Sequence, residues 1–183
     1  MPSPDAWPDA DRHADDLAAI HRVSTLGPGD PAVRLGQWLA VARDVLGARR
    51  ALILLGTESP FVVEASVGDG SPEAVTDQRV ELAVEQLATV ASLSGTVDHP
   101  GGRTGLGEGT VVASPLWVSG ELVGAVVLVA PPDQPPYAAW TLALVDLVAD
   151  GIARVLEHRA EGTARSAATA EQAAFEALVA SIS

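Results

Sequence analysis

The chain has 183 residues, 24 acidic against 11 basic, for a formal charge of −13. That balance argues against nucleic acid, whose phosphates are held by basic patches, and against anionic membrane surfaces; the absence of cysteine removes disulfides, thiol nucleophiles, Cys-ligated metals and thioether-linked chromophores together. Hydrophobic residues at 48% and charged residues at 19% describe one globular domain with additional segments rather than a disordered chain. Every basic residue is Arg, and Lys and Asn are missing; this reads as GC-rich coding and carries no mechanism. No apolar run reaches the ~18 residues that suggest a membrane span. The start, Met1 to His13, carries Pro and Asp where a signal peptide needs a basic and then an apolar stretch. A cytoplasmic location is the expectation.

Residues 1–13 read as a loose leader. Ala14 to Thr25 is a short helix with Leu17, Ile20 and Ser24 on one face, stopped by Gly27-Pro28-Gly29. The next helix has Asp30 to cap it, Pro31 at its first position and Gly47 to end it. Leu35, Trp38, Leu39, Ala42, Val45 and Leu46 form its apolar stripe. Arg49 and Arg50 lie just beyond.

Ala51 to Leu55 and Phe61 to Val67 are two strands joined by a short loop, hence antiparallel. The first is apolar at every position, which requires cover on both of its faces. Ser71-Pro72 opens a helical stretch with Val80, Ala83, Val84, Leu87 and Ala91 in phase, closed by Gly95; Thr96-Val97 is a very short strand. Residues 98–109 hold five glycines and one proline, a mobile loop within an ordered domain. Thr110 to Val118 and Glu121 to Ala130 flank Ser119-Gly120 as a tight hairpin. Four prolines in residues 131–136 break the sheet. A long helix then runs from Tyr137 to Arg159 with the stripe Leu144, Val145, Val148, Ile152 and Val155. Gly162 is its weak point, and a tail helix follows with Phe175, Leu178, Val179 and Ile182 in phase. Antiparallel strands interleaved with helices give an α+β fold.

The run Ser114-Pro115-Leu116-Trp117-Val118-Ser119-Gly120-Glu121-Leu122-Val123-Gly124-Ala125-Val126-Val127-Leu128 resembles a GAF domain, a family that carries a Pro-Leu, a short turn, then a Gly followed by an apolar strand. The element order over residues 14–159 is consistent with it, leaving 1–13 as leader and 160–183 as a helical linker. The resemblance implies an antiparallel sheet of five or six strands, a helix bundle on one face and a pocket with its lid on the other. It implies the sensory module of a bacterial, actinobacterial-type signalling protein, such as a two-component system: it would bind a small molecule and pass the change through a dimeric C-terminal helix to an output domain. The alternative is a dimerisation scaffold of the same fold without a ligand. The chain matches no ligand-specific signature, so the ligand and any cofactor are unassigned. It also lacks the cysteines of bilin-attaching and methionine-sulfoxide-reducing members, which points away from an enzyme.

Candidate ligand-binding residues are Arg79, Asp98, His99, Arg103 and Ser114. Arg79, at the start of the central helix, faces an anion on one reading and solvent on the other, and Arg103 in the glycine-rich loop has the same two readings. Asp98 and His99 open that loop, where pockets of the family present polar groups. His99 is the one residue placed to ligate a haem, and hydrogen bonding is the usual role of such a histidine; no haem is expected. Ser114 sits in an apolar strand and must satisfy its hydroxyl, most simply at the backbone. Glu64 stands among apolar residues, either at the pocket mouth or on a partly open side. Gly-x-Ser-x-Gly, a Walker loop and His-Glu-x-x-His are absent. His13, His21 and His158 are far apart along the chain and are not expected to build a metal site.

The stripes Leu144, Val148, Ile152, Val155 and Phe175, Leu178, Ile182 together exceed what one sheet of this size covers. They are expected to pair with a second copy. Phe175 to Ser183 looks like the lead-in to a PAS domain, so a downstream PAS, kinase, phosphatase or cyclase module is expected.

Overall fold

The computed structural model describes residues 10–27, 29–57, 61–68, 79–80, 95–96, 110–131 and 139–182. In chain order these form α1 (Ala10–Ser24), α2 (Pro31–Leu46), β1 (Arg50–Leu55), β2 (Phe61–Gly68), β3 (Arg79–Val80), β4 (Gly95–Thr96), β5 (Thr110–Val118), β6 (Glu121–Val129) and α3 (Ala139–Ile182). The strands make one antiparallel sheet in the order β3-β2-β1-β6-β5-β4. The fold is α+β. Four long strands carry the sheet, and a two-residue strand finishes each edge.

Local chemistry sets α2. The Asp30 carboxylate accepts from the Ala32 N–H at 2.9 Å, Pro31 occupies the first turn, and Gly47 ends the helix with a left-handed φ of 62°. Its buried stripe is Leu35, Trp38, Leu39, Ala42 and Leu46. The β5–β6 hairpin turns on Ser119 and Gly120, both with positive φ (51° and 83°), as the primed two-residue turn requires. The Ser119 hydroxyl donates to Glu157 of α3 at 3.0 Å, which ties the hairpin tip to that helix. Gly124, paired with Leu55 across the sheet, has a different reason: a Cβ there would run into the Leu54 carbonyl.

The sheet separates two apolar layers. On one side Ala51, Ile53, Val112, Leu116, Val126 and Leu128 pack with α2 and α3. On the other, Leu52, Leu54, Phe61, Val63, Val111, Ala113, Ala125, Val127 and Val129 form a second buried cluster. Ala51, Leu52, Ile53 and Leu54 are all 0% exposed, so the unbroken apolar run of β1 is buried on both faces.

Several sequence expectations are corrected. Helix α1 begins at Ala10, inside the expected leader, because neither Pro nor Gly follows Pro8 until Gly27. Arg79 and Val80 do not begin a helix; they pair with Val62 and Phe61 as an edge strand. Helix α3 is a single helix of 44 residues that passes through Gly162 without a break. One glycine costs only ~1 kcal/mol against alanine in a helix interior, and the alanine-rich flank together with the Glu161–Arg165 pair (3.0 Å) favours continuation. The expected dimer stripe is also corrected in its first half. Leu144, Val148, Ile152 and Val155 are at most 5% exposed, packed into the protein's own core by the sheet and α2. They are not available to a partner. Backbone at Phe175, Leu178 and Ile182 continues the helix, and their side chains lie outside the described residues. No helix among the described residues is long and apolar enough to cross a membrane.

Candidate functional site

The expected pocket face is the second apolar layer. Strand alternation places Arg50 on that face with Leu52 and Leu54. Its Nε donates to Ser66 Oγ at 3.2 Å across the β1–β2 pair. Burial, with Arg49 beside it, lowers the Arg50 guanidinium from its ordinary value. Arg50 and Ser66 thus bring polar groups to one end of an apolar floor. Sequence reasoning passed over Arg50 because it sits at the strand boundary, where no periodicity marks it.

Ser114 is not on this face. It is 2% exposed and lies on the helix side with Val112 and Leu116. Its hydroxyl donates to Asp146 Oδ1 of α3 at 2.8 Å. The expected ligand role and the expected backbone partner are both replaced by a side-chain bond between sheet and helix. Arg79 is placed by its backbone on the β3 edge. Asp98, His99 and Arg103 lie outside the described residues, as do the glycine-rich loop and the helical stretch before it. Glu64 sits where the β1–β2 register shifts, leaving it without a cross-strand partner, and it pairs with Arg159 of α3.

A second concavity lies on the opposite side of the sheet. It is a groove of about 780 Å³ between α1, α2 and α3, lined by Leu17, His21, Arg34, Trp38, Asp150 and Arg154 among others. Trp38 is 2% exposed, and its indole N–H has no hydrogen-bond partner; Arg34 Nε, also lining the groove, and Asp16 Oδ2 on α1 share that condition. His21 and His158, distant in sequence, both line it. Among the described residues no group of three or more His, Cys, Asp or Glu is placed to hold a metal.

An antiparallel sheet with helices on one face and a second buried apolar layer on the other defines a layered α+β domain. The family model for the GAF domain matches residues 30–156, more than two thirds of the chain. The chain belongs to the GAF domain family. Among solved structures it is similar to the GAF domain of a phosphoenolpyruvate-protein phosphotransferase from Coxiella burnetii (19% identity, 85% of this chain and 99% of that one, TM-score 0.67). It is similar to the GAF-B domain of DevS from Mycobacterium smegmatis (21% identity, 75% and 99%, TM-score 0.58). It is also similar to the free methionine-R-sulfoxide reductase of Neisseria meningitidis, solved with its substrate (18% identity, 86% and 95%, TM-score 0.60). At these identities the likeness is one of fold. No curated protein sequence matches the chain. GAF domains generally serve signalling and ligand binding, which is the setting for the reading below.

Proposed function

We propose that this chain is a cytoplasmic sensory module: it binds a small molecule over the second face of the sheet and transmits the change through α3 to an output domain. The observation that carries this reading is the adjacency of Ala113 and Ser114. Ala113 belongs to the apolar cluster of the ligand face, and the next residue is hydrogen-bonded to Asp146 of α3. A shift of β5 under a ligand therefore pulls on the helix through a bond one residue away. Arg50 and Ser66 anchor the polar end of the ligand, with Arg79, Asp98, His99 and Arg103 as further contacts. The exposed part of α3 pairs with a second copy and leads toward an output module of the PAS, kinase, phosphatase or cyclase kind. A solved GAF domain/HD domain protein from Geobacter sulfurreducens supports that modular arrangement. The role is regulatory; a chain without cysteine offers no thiol for sulfoxide reduction.

A second reading, a dimerisation scaffold without a ligand, is favoured by the close burial of the second cluster, whose members are at most 6% exposed. Native mass spectrometry separates the two. The sensory reading expects chain masses raised by a small molecule that denaturation removes, with lower occupancy in Arg50→Ala. Bare chain or bare dimer in every preparation overturns it in favour of the scaffold.

A further inference from the structure

We propose that the groove between α1, α2 and α3 is a second binding site, distinct from the sheet face and independent of the reading above, for an organic monoanion with an apolar body, such as a medium-chain or aryl carboxylate. Three observations converge. The first is an unsatisfied donor: Trp38 is 2% exposed, lines the groove, and its Nε1–H has no partner. A buried donor left unpaired is destabilising, so an acceptor entering the groove recovers that loss.

The second is the charge of the rim. Arg34 and Arg154 line it with His21 and His158, against one lining carboxylate, Asp150. Arg34 Nε is itself buried without a partner, and among the described residues neither Arg34 nor Arg154 makes an ion pair. Two arginines against one carboxylate, in a chain of net charge −13, favour an anion locally, while the surrounding negative field penalises multiply charged ones.

The third is the apolar wall. Leu17, Leu26 and Leu147, exposed at 49%, 43% and 42%, all line this groove. Exposed large apolar side chains gathered at one concavity mark a binding surface, and a volume of about 780 Å³ suits a small molecule. A second copy seated here by two-fold symmetry would bring the same cationic rim onto itself.

The test follows the indole N–H resonances of the protein's four tryptophans in a 15N-labelled sample titrated with sodium octanoate, the Trp38 signal being assigned by Trp38→Phe. The expected result is a saturable shift of that signal, weakened at least tenfold in Arg34→Gln and in Arg154→Gln, and at least tenfold weaker for octanamide. Inorganic phosphate is expected not to compete. Arg154 is exposed, so its variant folds as the parent does and keeps the comparison valid. A Trp38 signal that does not respond to octanoate, or responds equally in both Arg variants, overturns the site. One that moves with protein dilution instead assigns the groove to a second copy and overturns it too.

Discussion

Gly151 of α3 faces the indole of Trp38 so closely that a Cβ at position 151 would overlap the Cζ2, Cη2 and Cε2 atoms of the ring. Trp38 is buried, so the ring or the helix must shift for the methyl to fit. Gly151→Ala gains up to ~1 kcal/mol of helix propensity but incurs overpacking of ~1–3 kcal/mol. With the full propensity gain subtracted, the net expectation is a loss of up to about 2 kcal/mol in urea denaturation. Gly162→Ala is the control: nothing lies within 4 Å of a Cβ at position 162, and a gain of up to ~1 kcal/mol is expected.

The Ser114–Asp146 bond joins a buried hydroxyl to a half-buried carboxylate. Asp146→Ala leaves the hydroxyl unpaired and is expected to destabilise by ~1–3 kcal/mol, whereas Asp146→Asn, which keeps an acceptor, costs less. A double-mutant cycle with Ser114→Ala should return a coupling of ~0.5–3 kcal/mol. A coupling near zero would mean that the two groups are solvated separately.

Glu64 and Arg159 link the irregular part of β2 to α3, yet both remain about one-third exposed, at 32% and 37%. Arg159→Ala is therefore expected to cost less than ~1 kcal/mol, and the difference should shrink further in 1 M salt. Paired denaturation curves at low and high salt check it.

Residues 160–174 are exposed throughout, while Leu144 to Leu156 hold the core. An unsupported helix end frays. Amide exchange is expected to be slow over 144–156 at every concentration. Over 160–174 it should be fast in dilute protein and slow as concentration rises, if the tail pairs with a second copy. Exchange over 160–174 that ignores concentration would remove the tail from any dimer interface.

Most of the frame was readable from local signals with a definite chemical cause. Asp30, Pro31 and Gly47 announce α2, Ser119-Gly120 announces its hairpin, and an unbroken apolar β1 announces two covers. Two of the failures share a cause: periodicity tells which residues share a face, not what lies against that face. Ser114 belongs to a strand apolar on both sides, so its sequence could not say which side met the helices. The Leu144–Val155 stripe was correctly in phase, but the partner is the sheet rather than a second subunit. Arg79-Val80 is too short a strand to show any period. The groove left a trace that went unread: Arg34 precedes Trp38 by four residues, and Asp150, Arg154 and His158 repeat at the same interval along α3.

The strand order β2-β1-β6-β5 also bears on how the chain assembles. Two hairpins, each closed by a short connection, meet along a single seam where Arg50 opposes Val129 and Leu55 opposes Gly124. Each hairpin joins neighbours in sequence, whereas the seam needs a long-range encounter, the kind of contact that slows folding. The chain between the hairpins acts as a tether in that encounter. Its entropic penalty grows only logarithmically, about 0.6 kcal/mol for each doubling of length. Within the segment from 69 to 109, β3 and β4 are fastened to the two edges of the sheet, away from that seam.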